Sequence, residues 1–95
     1  MAYNGWSNYE TWVVKVWMDN DEGSYNYWSH RAREVQEYSN ATVTLMDELK
    51  DEHEQALPEL QGFAADLLNT AFGQVNWHEI AESLIEDFPT EKAEE

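Results

Sequence analysis

The side chains of this 95-residue chain that could do chemistry are mostly carboxylates: twenty Asp and Glu, three His and no Cys. Two groups recur at helical spacing. Asp47, Glu48, Asp51, Glu52 and Glu54 form one, and Glu79, Glu82, Glu86 and Asp87 the other. Paired carboxylates do acid–base work only where burial drives their proton affinities apart. These acids fall on the polar sides of their helices, where solvent keeps such shifts small. No activated serine, glycine-rich phosphate loop or cofactor fingerprint accompanies them. The chain is expected to be no enzyme and to hold no cofactor.

Metal chemistry fails on spacing. Asp19-x-Asp21-x-Gly23 begins like a calcium loop, but its glycine comes one place early and His30 stands where a bidentate Glu belongs. A helix-ending turn is the expectation instead. His30, His53 and His78 show no H-E-x-x-H or comparable spacing. His53 lies on an apolar stripe, as a hydrogen-bonded histidine at the edge of a core, and His78 lies on the surface. No metal site is expected.

Base stacking is the remaining chemistry. Nine of the thirteen aromatic residues precede residue 39, and aromatic faces stack on unpaired bases. Such sites also need a basic groove, and this chain carries −15. Direct nucleic-acid binding is therefore excluded. Trp12, Val13, Val16 and Trp17 read as core, while Tyr3, Trp6 and Tyr25 or Tyr27 suit a protein interface.

Five helices must position these groups. Asn4-Gly5 is a turn dipeptide, because both residues tolerate positive φ. Asn8 is placed to cap a first helix running to about Asn20, with Glu10 at the positive end of its dipole. Tyr9, Trp12, Val13, Val16 and Trp17 share one broad face, with Val14 and Met18 nearly opposite. Thr11, Lys15 and Asp19 are left as the polar stripe, so this aromatic-rich helix is expected at the centre of the bundle.

Ser24 is the expected cap of a second helix to about Tyr38, buried through Trp28, Ala32 (or Arg31), Val35 and Tyr38. A third, about Val43 to Leu57, has the thin stripe Met46, Leu49, His53, Ala56 and Leu57. The fourth, Glu59 to about Phe72, repeats Leu60, Phe63, Ala64, Leu67, Leu68, Ala71 and Phe72, with Gly62 near its start and Gly73 at its end. Asn76-x-x-Glu79 opens the fifth, striped by Trp77, Ile80, Ala81, Leu84, Ile85 and Phe88 up to Pro89. Period-two alternation is never sustained. The expectation is an all-α, compact single-domain bundle over residues 1–89, with a charged disordered tail at 90–95.

The run N-G-W-S-N-Y-E-T-W followed by W-M-D-N-D-E-G, residues 4–12 and 17–23, resembles the opening of small proteins without an assigned activity in phage and plasmid gene sets. The resemblance covers the first quarter of the chain and brings no catalytic residues. It implies a place on a mobile element.

Charge carries the functional expectation. Residues 1–38 are net −3 and residues 39–95 net −12. Self-repulsion of that size costs stability in a small domain, so a merely solubilising role explains it poorly. On a helix, residues three or four apart have Cβ atoms roughly 5–6 Å apart. Asp47, Asp51 and Glu54, or Glu48, Glu52 and Gln55, then make rows of negative groups spaced much as phosphates are along a strand. Glu79, Glu82, Glu86 and Asp87 extend the pattern. The expectation is a nucleic-acid mimic that occupies the basic DNA- or RNA-binding site of a host defence protein, of the antirestriction or anti-CRISPR kind. Its partner would be a basic nucleic-acid-binding host protein such as a nuclease. The alternative is an acidic adaptor or scaffold that binds through its aromatic N-terminal face. No secretory leader and no apolar run near the ~18 residues of a membrane span is seen, so the cytoplasm of a prokaryotic host is the expected place. Monomer and homodimer both remain open.

Overall fold

The computed structural model describes residues 3–90. They form five helices: α1 (Tyr9–Asn20), α2 (Glu22–Val35), α3 (Ala41–Gln55), α4 (Phe63–Gln74) and α5 (Trp77–Asp87). There is no strand among the described residues, only an isolated bridge between Tyr3 and Trp6. The all-α bundle expected from periodicity is the fold.

The core is built by α2, α3 and α5, with α3 and α5 the most closely packed pair. Leu45 and Leu49 of α3 meet Ile80, Ala81 and Leu84 of α5, and Trp28, Ala32 and Val35 close the third side. Leu45, Leu49, Ile80 and Val35 are fully enclosed, each worth about 1.5–3 kcal/mol relative to exposure. α1 lies against α2 and α5 and carries α4 on another side. α4 thus packs chiefly on α1 and not closely on α3.

The N-terminal segment is clasped to the α4–α5 junction. Asn4 and Gly5 take φ of 52° and 95°, and Tyr3 and Trp6 exchange two backbone hydrogen bonds of 2.9 Å. Positive φ at both central positions is what a tight hairpin turn requires, and Asn-Gly supplies it at little strain. Asn8 caps α1 by accepting from the Thr11 amide at 2.9 Å and donates through Nδ2 to the Gln74 carbonyl at 2.7 Å. Ser7 donates to Glu79 through its amide (3.2 Å) and its hydroxyl (2.8 Å).

α1 turns a different face inward from the one its apolar residues suggest. Thr11, Lys15 and Met18 are its buried residues, Trp12 is half-buried, and Trp17 is 73% exposed. Trp17 is therefore no core residue. Two interactions reverse the face. The Thr11 hydroxyl accepts the Asn76 amide at 2.8 Å, meeting a hydrogen bond at the entrance to α5. Lys15 buries its stem, directs Nζ to Asp19 at 2.7 Å and holds it 6.0 Å from the centre of the Trp6 ring, the usual behaviour of a long amphipathic side chain.

Other boundaries move for local reasons. α2 begins earlier than expected because Asp21, and not Ser24, is the cap, accepting from the Ser24 amide at 2.9 Å. It ends at Val35, and the exposed Tyr38 lies outside it. α3 starts at Ala41, and Leu45, absent from the expected stripe, is buried one turn before Leu49, while Ala56 falls past the end and is exposed. α4 starts four residues late. Gly62 takes φ 67°, ψ −146°, a conformation outside the helical region and costly for other residues. Residues 58–62 are consequently irregular, and Gly73 lies inside the helix. Of the expected tail, Thr90 donates its amide to Gln36 Oε1 at 3.2 Å, and residues 91–95 lie outside the described residues.

Candidate acidic interface

The acids on α3 separate into two rows. Leu45 and Leu49 face the core, and at 100° per residue Asp47, Asp51 and Glu54 fall on the opposite side. All three are exposed. Asp51 accepts only a long 3.5 Å contact from Gln55 Nε2 one turn on. Glu48 and Glu52 lie on the flank that meets α2. Arg31 grips Glu48 with Nε at 2.9 Å and Nη2 at 2.6 Å, and both side chains are about three-quarters buried. The Tyr27 hydroxyl donates to Glu52 Oε2 at 2.9 Å.

Such contacts make electrostatic differences within one acidic surface. The Glu52 carboxylate, accepting from the Tyr27 phenol, holds that proton on and raises the phenol above its ordinary value. The guanidinium of Arg31, bonded to Glu48 and Glu34, holds its own proton more tightly and lowers the Glu34 carboxyl. Asp21 is likewise lowered, by the hydrogen bonds it accepts from Ser24.

On α5, Trp77, Ile80, Ala81 and Leu84 face inward, leaving Glu79, Glu82 and Glu86 on the outer side with Asp87 beside them. Glu79 is occupied by Ser7, as described above. Glu82 and His78 lie 3.4 Å apart, both about half exposed. Glu79, Glu82 and Glu86 also edge a shallow depression of about 310 Å³ against Asn4, Gly5 and Trp6. Thus the structure leaves Asp47, Asp51, Glu54, Glu82, Glu86 and Asp87 exposed, and engages Glu48, Glu52 and Glu79 in links to α2 and to the N-terminal turn.

The histidines are placed as expected. His53 donates from Nδ1 to the Leu49 carbonyl at 2.7 Å. Its ring stacks on Trp28 at 5.8 Å and meets Trp77 at 5.1 Å. His78 is exposed. Among the described residues no three His, Asp or Glu are grouped to hold a metal ion, and no helix is long and apolar enough to cross a membrane.

Apolar exposure is the surface feature that periodicity does not reveal. Trp17, Phe63 and Leu67 are 73%, 80% and 66% exposed. Between α1 and α4 runs an apolar groove of about 320 Å³, lined by Tyr9, Val13, Leu57, Leu68 and Phe72 among others. The only signal for it in sequence was the apolar surplus of α1 and α4, each with more large residues than one buried stripe requires.

Residues 1–93 match the model of the family of unknown function DUF7249, and the chain belongs to that family. No curated protein and no solved structure matches it.

Proposed function

We propose that this DUF7249 protein is an acidic nucleic-acid mimic, occupying the basic DNA- or RNA-binding site of a host defence protein of the antirestriction or anti-CRISPR kind. It acts on behalf of a mobile element, in the cytoplasm of a prokaryotic host, by binding and without chemistry of its own. The observation that carries the reading is the α3 row. Asp47, Asp51 and Glu54 point away from the core on a rigid helix, at one-turn spacing, in a chain of net charge −15. Carboxylates so placed meet a Lys- and Arg-lined channel as phosphates would, and the partner gains the attraction that normally draws it to nucleic acid. Glu82, Glu86 and Asp87 supply further negative groups on α5.

The experiment is competition. A basic nucleic-acid-binding protein captured by this chain should lose its affinity for DNA or RNA in proportion to occupancy. A partner that holds both at once, each with undiminished affinity, rules the mimic out.

A second reading is favoured by the 73% exposure of Trp17. An indole on the surface of a stable helix is a strong protein contact, which suits an acidic adaptor that binds through its aromatic N-terminal face. Under that reading Trp17→Ala abolishes partner binding and neutralising Asp47, Asp51 and Glu54 leaves it unchanged.

A further inference from the structure

We propose that α4 is a self-association surface whose occupant is a second copy of this chain, packed antiparallel about a two-fold axis through Leu67. This goes beyond the functional reading above and does not depend on it.

α4 needs a cover. It has no buried residue, and Phe63 and Leu67 of its outer stripe are largely exposed. A twelve-residue helix is marginal by itself and draws its stability from packing. Here α1 alone supplies most of that packing.

Charge selects the occupant. Asp66 is the one charged residue among the twelve of α4. A basic partner gains little there, because the groove beside it offers only the Glu10 carboxylate. Two acidic chains, by contrast, can meet only where each is nearly neutral. α4 packs chiefly on α1 and not closely on α3. Two copies joined at α4 therefore do not set their α3 rows directly against each other, and salt screens the repulsion that remains.

The face is also self-complementary. In an antiparallel pair centred on Leu67, Phe63 of one copy faces Ala71 of the other, a small residue on the same stripe. Ala71 borders the groove lined by Tyr9, Val13, Leu57, Leu68 and Phe72, whose 320 Å³ admits a phenyl ring. The two-fold operation repeats the insertion on the other side, which is the isologous closure typical of small dimers. Covering Phe63, Leu67 and Tyr9 of both copies removes on the order of 800 Å² from water, the low end of a specific interface.

The test is sedimentation equilibrium of the full chain at micromolar and higher concentrations. A mass of about twice 11.1 kDa is expected, with association strengthening as salt rises, since salt screens the repulsion between copies. Leu67→Glu should weaken the dimer at least about a hundredfold, because two carboxylates would be enclosed at the axis. The chain has no cysteine, so Leu67→Cys under mild oxidation should cross-link to its own copy, and Asp47→Cys should not. A monomer throughout that range overturns the proposal. So does a dimer that Leu67→Glu leaves intact, or one in which the two cysteine variants cross-link equally.

Discussion

Arg31 on α2 holds Glu48 on α3 through two short, parallel hydrogen bonds, with its third nitrogen on Glu34 at 2.6 Å. The geometry is bidentate, the arrangement in which a guanidinium–carboxylate pair is strongest. It takes Glu48 out of the free negative surface and makes it a strut between helices. Glu48→Gln should cost about 1–2 kcal/mol and lower the melting temperature by several degrees. Asp47→Asn, Asp51→Asn and Glu54→Gln combined should leave stability equal or slightly raised, since they relieve repulsion between neighbouring turns. Thermal unfolding of the two variants reads the difference. Equal destabilisation would mean that the rows do not differ.

Neutralising that outer row should also remove partner binding under the mimic reading. The loss should reach orders of magnitude for the triple variant and little for any single change, because exposed ionic contacts contribute about 0–1 kcal/mol each. Binding should fall with salt, though less steeply than for duplex DNA, since a folded protein has no condensed counterion layer to release. A salt-independent affinity, measured by titration calorimetry, contradicts it.

Thr11→Val keeps the shape of the side chain and deletes the acceptor of the Asn76 amide. Thr11 is fully buried, so the amide is left without a partner at a cost of about 1–3 kcal/mol. Thr11→Ser should recover much of the loss. If Val and Thr are equally stable in urea, the hydroxyl does not decide which face of α1 is inside.

Two tryptophans should behave oppositely. Trp17→Ala, at a position 73% exposed, should change stability by no more than about 0.5 kcal/mol. Trp28→Ala, at a position 4% exposed, should cost about 3–5 kcal/mol. Denaturant midpoints decide, and a large loss at Trp17 would return that residue to the core.

Tyr27 gives a pH prediction. Its proton is held by Glu52, so the folded phenol titrates above the ordinary 10.0. A raised folded value stabilises the protein below pH 10, and the contribution disappears as pH rises through the folded value. In Glu52→Gln the Tyr27 phenol should titrate lower than in the parent protein. Superimposable phenolate absorbance curves for the two proteins would discount the hydrogen bond.

What was legible in the sequence was local. Asn4-Gly5, Asn8 and Asn76 act on amides two or three residues away, so their roles could be assigned without knowing the fold. The stripes of α2 and α5 were legible for a related reason, since each has a single apolar face. α1 has apolar residues nearly all round. Its inner face is chosen by Thr11 meeting Asn76, sixty-five residues later, and no window of sequence contains that pair. The acids show the same limit. Helical register separates Asp47, Asp51 and Glu54 from Glu48 and Glu52, but only the packing of α2 puts Arg31 and Tyr27 beside the second row. α4 misled because its surplus of apolar residues implied burial that one chain does not provide.

The clasp between the N-terminal turn and the α4–α5 junction has a consequence for when the protein can fold. Ser7 to Glu79, Asn8 to Gln74 and Thr11 to Asn76 are separated by 72, 66 and 65 residues. A helical bundle is ordinarily fast because its contacts are near in sequence, and chains commonly begin folding from the N-terminus as they are synthesised. Here the first helix to be made packs most closely on α2, the next one, but the hydrogen bonds that fix its place have partners near the other end of the chain. During synthesis α1 can pack on α2, while its acceptor at Thr11 stays unoccupied until the start of α5 has been made. The last step of assembly is thereby tied to completion, and a product that stops short of residue 74 would lack all three of these hydrogen bonds.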